Sequence, residues 1–337
     1  MFNFIITGTC SKGCSFCFTE EQTRIQHTLG EMDVEYINKL LDYYKFDPNK
    51  MTSVNESDVR ILGGEPTQHS NFTGIIDTVI KRGLKINLVS NFLFGEKIQK
   101  YIVNNIKHFR WMLPNSAELN EKNRLKLWLK NYIAIYDAYA ATWGFEESPR
   151  LFLSLTISRD WKERKHFEYI KWLASKIPNR LNAIRMGLDL TGTYLINNKE
   201  LGKELTKLEK FAHVNNIHIT SDCQVPPCLW KGETEEAVRA NTSLATFQYG
   251  MDLTCGFMPI DVFPDGTSTM CYPLKGEVNH DVFNLPGKDK LNTLVKEYAK
   301  NYISYSETFN KPEECLNCSF YLKGCNGICG GCLHGES

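Results

Sequence analysis

The sequence lacks several features that would assign it to a common class of protein. No apolar run approaches the ~20 residues that a membrane-spanning helix needs, and the start, MFNFIITGTC, has no basic signal-peptide region. Lysine plus arginine and aspartate plus glutamate both number 39, so no net charge draws the chain toward nucleic acid. These absences predict a cytoplasmic globular protein with neither a membrane nor a nucleic-acid partner.

Cysteine is absent between residues 18 and 222, although the chain has 12 cysteines in all. Three lie between positions 10 and 17, and nine lie between 223 and 332. Without a secretion signal, this usage favours metal or redox chemistry over disulfides. The distribution therefore predicts two metal-binding regions separated by a cysteine-free stretch.

That stretch alternates short apolar runs with helical patterns. The predicted strands are Phe4–Thr7, Val59–Leu62, Ile86–Ser90, Phe109–Leu113, Leu151–Ile157 and Ile184–Leu190. The predicted helices cover 34–44, 75–80, 95–106, 121–142, 161–176 and 198–213, with Asp33 as an N-cap and Gly83 as a C-cap. Six strands alternating with six helices predict an α/β fold with a parallel sheet, a partial (β/α)6 TIM-like barrel.

The alternation is expected to stop near residue 217, where proline, glycine and cysteine become frequent. We therefore predict two domains, residues 1–216 and a cysteine-rich C-terminal iron–sulfur domain, 217–337.

The first cysteine cluster, Cys10-x3-Cys14-x2-Cys17, directly follows the first predicted strand. Three thiolates on one loop can hold three irons of a [4Fe–4S] cluster and leave the fourth iron open for catalysis. Zinc is the alternative, but a structural zinc site needs four ligands, and the nearest histidine is His27.

This spacing resembles the radical S-adenosylmethionine (SAM) superfamily. In that family the open iron chelates SAM, and one electron cleaves SAM to a 5′-deoxyadenosyl radical that abstracts hydrogen from the substrate. The sequence ILGGEPT, at the end of the second strand, matches the family's Gly-Gly-Glu-Pro motif. The resemblance implies SAM contacts at Gly63, Gly64, Glu65 and Pro66, and ribose contacts at Ser90 and Asn91.

Two later strands offer further candidates. Ser154, Thr156 and Ser158 alternate with apolar residues, so they are expected on one face, either facing the cofactor or solvated. Asp189, on the sixth predicted strand and on the same face as Arg185 and Gly187, is a candidate for contact with substrate or SAM.

The C-terminal cysteines resemble the SPASM extension of radical SAM enzymes, which binds auxiliary [4Fe–4S] clusters. An Asp265-Gly266 hairpin signal lies between Cys255 and Cys271. The final spacing, Cys315-x2-Cys318-x6-Cys325-x3-Cys329-x2-Cys332, departs from the family pattern by one extra residue and a short last gap.

The resemblance implies two auxiliary clusters, which makes three clusters in all. One ligand set is Cys255, Cys271 and Cys329, with Cys223 or Cys228 as a fourth ligand or an open iron. The other set is Cys315, Cys318, Cys325 and Cys332. Zinc remains the alternative here, because paired Cys-x2-Cys units also build zinc ribbons.

Enzymes of this kind characteristically modify ribosomally made peptides, by crosslinks or side-chain oxidation. We therefore expect a radical SAM oxidoreductase that acts as a peptide maturase. The alternatives are a radical SAM dehydrogenase or cyclase acting on a small molecule, and a zinc-binding protein without enzymatic activity. Tyr272 stands where sulfatase-maturing relatives carry an aspartate, so sulfatase maturation is not expected, and Tyr272 is itself a catalytic candidate.

The expected partners follow from the same resemblance. They are a precursor peptide and an electron donor such as flavodoxin or ferredoxin. Because the chain begins almost on the first strand, we expect the precursor to dock elsewhere or through a separate leader-binding protein.

Overall fold

A computed structural model describes most of the chain. The described residues are 2–12, 14, 30–44, 58–115, 122–144, 150–158, 161, 165–188, 198–221, 225–230, 233–245, 260–269, 280–283, 293–294, 296–298, 300–301, 312–320 and 325. They belong to two compact units, Met1–Leu153 with Pro259–Tyr298, and Ser154–Met258 with Ala299–Ser337. Among these residues, no helix is both long enough and apolar enough to cross a bilayer.

The first unit is built on a seven-stranded sheet, as far as the chain is described. Its strands are β1 (Phe2–Ile5), β2 (Asp58–Leu62), β3 (Lys85–Ser90), β4 (Phe109–Pro114), β8 (Ile260–Val262), β9 (Thr267–Thr269) and β10 (His280–Asp281). They are ordered β10-β9-β8-β1-β2-β3-β4, and all neighbours from β8 to β4 are parallel. Because parallel strands end at the same side, the residues after β1, β2 and β3 come together there.

In the described part of residues 30–144, four α-helices accompany these strands. They are α1 (Val34–Tyr43), α2 (Phe72–Lys81), α3 (Glu96–Asn104) and α4 (Lys122–Trp143). Asp33 caps α1 as predicted, since its carboxylate accepts the Tyr36 amide at 2.6 Å. Gly83 has φ +73°, which confirms the predicted end of α2. The apolar stripes of α1 and α2 are buried, and this packing explains why the two segments form helices.

The second unit contains the remaining described elements. A three-stranded sheet runs β5 (Leu153–Ile157), β6 (Ala183–Leu188) and β7 (His218–Ser221). The helices are α5 (His166–Lys176), α6 (Lys199–Val214), α7 (Glu235–Asn241) and α8 (Glu313–Leu316). The predicted helices and strands up to residue 214 are confirmed, with ends that shift by a few residues at most sites.

Two features differ from the sequence-based prediction. The alternation continues one strand further than expected, because β7 pairs in parallel with β6. Residues 260–269 and 280–283 also contribute to the first sheet, where β8 lies parallel to β1. The fold is thus mixed α/β with a parallel sheet, whereas the partial barrel and the boundary at residue 216 stay predictions.

The predicted Asp265-Gly266 hairpin is confirmed. β8 and β9 pair antiparallel, and the Gly266 amide donates to Phe263 O at 3.0 Å. Gly266 has φ +80°, a left-handed conformation that glycine adopts without a steric cost. The Asp265 carboxylate accepts the Thr267 amide at 3.0 Å, which fixes the turn.

A buried polar contact joins this hairpin to the first strand. Asn3 Nδ2 on β1 donates to Asp261 Oδ1 on β8 at 2.6 Å. Asp261 is buried, and burial raises its pKa to about 6, although the Asn3 hydrogen bond and the Arg60 charge oppose the rise. The hairpin is therefore attached to the strand that leads into the Cys10 loop.

Candidate functional site

The loop that carries Cys10 and Cys14 starts at the carboxyl end of β1. Cys10 is half-buried and Cys14 is buried. The Lys12 amide donates to Cys10 Sγ at 3.4 Å, and amide bonds to cysteine sulfur influence the potential of an iron–sulfur cluster. Cys17 lies outside the described residues. Two of the three predicted cluster ligands therefore lie on a loop whose first turn is fixed by a backbone contact to sulfur.

The glycine turn after β2 lies directly against this loop. The Gly64 amide donates to Thr7 O at 2.8 Å, and the Glu65 amide donates to Thr9 O at 2.7 Å. A Cβ atom at Gly63 would lie 2.4 Å from Thr7 O, and one at Gly64 would lie 2.5 Å from Thr9 O. Only glycine permits such a close approach of two backbones. The motif glycines thus hold the base of the cysteine loop against the end of β2.

The Glu65 carboxylate connects the ends of β2 and β3. Oε1 accepts hydrogen bonds from Thr67 N at 3.1 Å, Thr67 Oγ1 at 2.6 Å and Ser90 Oγ at 2.8 Å. Oε2 accepts the Asn91 amide at 2.6 Å. A carboxylate offers about four acceptor positions, divided between its two oxygens. Oε2 can therefore accept one further donor, whereas Oε1 is fully used.

Glu65 is also the most deeply buried ionisable group among the predicted SAM contacts, at 1% exposure. Burial raises the pKa of Glu65 above its ordinary value, although the hydrogen bonds from Thr67, Asn91 and Ser90 oppose the rise. A buried carboxyl group with a remaining acceptor position favours a cationic donor.

Ser90 and Asn91 lie at the end of β3, beside Glu65. Asn91 Oδ1 accepts the Leu93 amide at 2.8 Å, which forms a local turn. Asn91 Nδ2 is buried and has no hydrogen-bond partner in the described part of the chain. A buried donor without a partner is costly, so its presence indicates a ligand or water at this position.

Pro66 begins a short 3₁₀ turn, Pro66–Gln68, whose cap is Glu65. The residues that follow form a second set of contacts with the cysteine loop, which sequence reasoning missed. Gln68 Nε2 donates to Ser11 Oγ at 2.7 Å. His69 Nε2 lies 3.0 Å from Met32 O, where the chain returns from the loop. The polar run Thr-Gln-His-Ser behind the motif is a signal that could have indicated these contacts.

Ser154 and Thr156 lie on β5 in the second unit. Both are half-buried, whereas Leu153, Leu155 and Ile157 are buried. The alternation predicted for this strand is confirmed at these positions. Ser158 differs, because it is buried at 2% exposure rather than solvated. The structure thus leaves Ser154 and Thr156 on the wetter face of β5.

Four of the nine C-terminal cysteines are described, and all belong to the second unit. Cys228 is buried in the 3₁₀ turn Pro227–Trp230. Cys315 lies in α8, and the Cys318 amide donates to Cys315 O at 3.0 Å. This closes the Cys-x2-Cys pair into one turn, an arrangement that suits metal ligation. Cys325 is half-buried.

Several predicted site residues lie outside the described residues. They are Asp189, Tyr272, Cys17, Cys223, Cys255, Cys271, Cys329 and Cys332. The structure therefore brings together the Cys10 loop, the Gly63–Pro66 turn and the Ser90–Asn91 turn at the carboxyl ends of β1, β2 and β3.

Solved structures share this fold. SuiB from Streptococcus suis, bound to the precursor peptide SuiA, has 15% sequence identity and a TM-score of 0.62, covering 97% of this chain and 71% of SuiB. SuiB bound to S-adenosylmethionine has 15% identity and a TM-score of 0.60, covering 97% and 72%. The enzyme anSMEcpe with bound AdoMet has 16% identity and a TM-score of 0.56, covering 96% and 89%.

These structures thus hold a precursor peptide or S-adenosylmethionine. At such low identity, the likeness shows the fold alone. No family model matches the chain, and no curated protein matches it by sequence.

Proposed function

We propose that the chain is a radical SAM enzyme that modifies a ribosomally made peptide. The observation that carries this proposal is the contact between the cysteine loop after β1 and the Gly63–Gly64 turn after β2. The structural neighbours support it, since SuiB was crystallised with S-adenosylmethionine and with a precursor peptide. Another structure of anSMEcpe holds both AdoMet and the Cp18Cys peptide.

The described residues fit the implied cofactors. Cys10 and Cys14, with Cys17, would hold the [4Fe–4S] cluster through three thiolates. When bound, the cluster and SAM supply a 5′-deoxyadenosyl radical for hydrogen abstraction. The orphaned Asn91 Nδ2 and the remaining acceptor position on Glu65 Oε2 are polar groups that a SAM molecule can use. The glycine turn provides a close backbone approach that no other residue permits.

Each residue of the first unit then has a defined task. Gly63 and Gly64 hold the base of the cysteine loop. Glu65 offers Oε2 to an ammonium group and fixes Ser90 and the Asn91 amide through hydrogen bonds. Asn91 donates through Nδ2, because its Oδ1 is already used by Leu93. In the second unit, Ser154 and Thr156 offer hydroxyl groups on the half-buried face of β5.

We further propose that the C-terminal cysteines hold two auxiliary [4Fe–4S] clusters. The turn that brings Cys315 and Cys318 together supports one of the two predicted ligand sets. A radical SAM enzyme that also holds auxiliary clusters suits a reaction that removes electrons from the peptide. An electron donor such as flavodoxin or ferredoxin, and a precursor peptide, complete the proposal.

Iron and sulfide analysis of anaerobically reconstituted protein tests both parts. We expect about twelve irons in the parent and about eight in a Cys10→Ala/Cys14→Ala/Cys17→Ala variant. The reduced parent should convert SAM to 5′-deoxyadenosine, and the triple variant should not. About four irons plus zinc in the parent would refute the auxiliary clusters only. Zinc without iron would refute the radical SAM assignment.

The peptide substrate needs its own experiment. A short precursor peptide encoded beside this chain, incubated with reduced enzyme and SAM, should change in mass. The triple variant is the control. If no such peptide is modified while a small molecule is dehydrogenated or cyclised, the peptide proposal fails and the radical chemistry stands.

A further inference from the structure

The segment after the Gly-Gly-Glu-Pro motif contacts both ends of the cysteine loop. At the entry, Gln68 Nε2 donates to Ser11 Oγ at 2.7 Å, one residue after Cys10. At the exit, His69 Nε2 lies 3.0 Å from Met32 O, just before α1. Two consecutive residues, Gln68 and His69, therefore contact both ends of the cysteine loop, at Ser11 and at Met32.

The hydrogen-bond partners of His69 assign its tautomer. Nδ1 accepts the Asn71 amide at 2.9 Å, so this nitrogen carries no proton in the contact. Nε2 must then carry the proton and donate it to Met32 O. His69 is buried at 6% exposure, and both ring nitrogens have partners. The ring thus joins its own turn to the returning chain in one fixed orientation.

Further contacts hold the exit of the loop. The Ser70 amide donates to Glu31 Oε1 at 2.9 Å, and the Ser70 hydroxyl donates to Glu31 Oε2. The Met32 amide donates to Ile6 O at 2.8 Å, and Thr7 pairs antiparallel with Glu31. The exit therefore lies beside β1, close in space to the strand end where the loop begins.

We propose that His69 is a positioning residue for the iron–sulfur cluster, which acts by holding the exit of the Cys10 loop against the turn that also holds its entry. This inference rests on the proposed function. Three ligands on one loop bind a cluster more tightly when the loop already holds them in place, because the conformational entropy of a flexible loop is lost on binding. The hydrogen bond from His69 to Met32 O restricts the loop before the cluster binds, and so lowers this entropic cost.

Two substitutions separate this role from a purely local one. His69→Asn keeps an acceptor near the Nδ1 position for the Asn71 amide, but it is too short to reach Met32 O. His69→Gln places an amide nitrogen near the Nε2 position, so it can still donate to Met32 O. Gln68→Ala removes the entry contact at an exposed position, where the effect on stability is small.

Tyr44→Phe is the matched control. Its hydroxyl donates to Val282 O at 2.5 Å, so the substitution also removes one side-chain bond to a backbone carbonyl in the same compact unit. It does so away from the cysteine loop.

The measurement is the rate at which anaerobically reconstituted protein loses iron to a chelator. The kinetic phase of iron loss that is present in the parent but missing from the Cys10→Ala/Cys14→Ala/Cys17→Ala variant is assigned to the cluster on the Cys10 loop. We expect His69→Asn to accelerate this phase about fivefold, which corresponds to about 1 kcal/mol for one hydrogen bond. Gln68→Ala should also accelerate it. His69→Gln and Tyr44→Phe should stay within about twofold of the parent.

Urea unfolding of each variant accompanies the iron measurement. If His69→Asn and Gln68→Ala both leave the phase unchanged, the positioning role is wrong. If the loop-dependent loss of iron accelerates in His69→Gln but not in His69→Asn, the ring matters only for its own turn, and the proposal is wrong. If Tyr44→Phe accelerates the phase as much as His69→Asn at equal loss of stability, the effect is general destabilisation. A parent without any loop-dependent phase would refute the proposed function itself.

Discussion

Alanine at Gly64 would place a methyl group among backbone atoms that cannot turn away. Its Cβ would lie 2.5 Å from Thr9 O and 2.6 Å from Gly8 O, well inside any normal contact. At Gly63 the distance is 2.4 Å to Thr7 O, and the φ of +149° is itself unsuited to alanine. To relieve either clash, the base of the cysteine loop must move away from the end of β2.

The magnitude follows from these contacts. Forcing a methyl group into a packed site costs about 1–3 kcal/mol, and each lost hydrogen bond adds about 1 kcal/mol. Gly64→Ala strains the bonds from Gly64 to Thr7 and from Glu65 to Thr9, so we expect the free energy of unfolding to fall by about 3 kcal/mol. Gly63→Ala should cost about 1 kcal/mol more, because of its backbone conformation.

Urea unfolding followed by circular dichroism, under anaerobic conditions, measures these losses. Gly95→Ala is the matched control, since Gly95 has φ −74° and a Cβ there would meet nothing within 4 Å. Because Gly95 is the N-cap of α3 and alanine is a poorer cap than glycine, this variant should lose about 0.5–1 kcal/mol, well below the loss expected at Gly64. If Gly64→Ala unfolds at the same urea concentration as Gly95→Ala, the two backbones do not lie in contact, and the reasoning about the site is refuted.

Three further predictions use other residues. Burial raises the pKa of Asp261 to about 6, so at pH ~5 the folded protein still holds a proton that the unfolded chain has released. The free energy of unfolding therefore falls as the pH rises through about 6. Between pH ~5 and ~7 the parent should lose about 1 kcal/mol more than Asp261→Asn, as measured by urea unfolding. Gly266→Ala should cost about 1–2 kcal/mol by the same measurement and Gly266→Asn less, because asparagine tolerates φ +80° better. Asn91→Asp keeps the acceptor for the Leu93 amide but removes the Nδ2 donor, so calorimetry should show about tenfold weaker SAM binding.

Each of these has a contradicting outcome. If the free energy of unfolding depends on pH in the same way for the parent and for Asp261→Asn, the pKa of Asp261 does not differ between the folded and unfolded states. Equal losses for the alanine and asparagine variants of Gly266 would exclude a left-handed turn. Unchanged SAM affinity in Asn91→Asp would exclude Nδ2 as a contact.

The helices and strands of the described residues up to 214 could be predicted because hydrophobic periodicity determines them. The stripe Ile37, Leu40 and Leu41 predicts α1, and these residues are buried in the structure. Local turn chemistry was equally readable at Asp33, Gly83 and Gly266, where the backbone conformation limits the choice of residue.

The place of β8, β9 and β10 in the first sheet could not be predicted in this way. These strands are short, two or three residues each, and β1, the strand with which β8 pairs, is distant in sequence. A hairpin signal indicates that two arms pair with each other, but it does not indicate which sheet edge they join. Contacts between residues far apart in sequence place the hairpin beside β1, as in the hydrogen bond between Asn3 and Asp261, which are 258 positions apart.

The site shows the same division between local and distant information. A motif predicts which side chains carry the chemistry, since thiolates, glycines and a carboxylate suggest their own roles. It does not predict the residues that hold them, because Thr67, Gln68 and His69 are ordinary polar residues in sequence. Their roles arise from where the parallel strands end. Glu65 belongs to both groups, since the carboxylate that the resemblance assigns to SAM also joins the end of β2 to the end of β3 through its hydrogen bonds with Ser90 and Asn91. Cofactor binding and the stability of this part of the sheet are therefore coupled at Glu65, and a substitution there must be judged against variants that change only one of them.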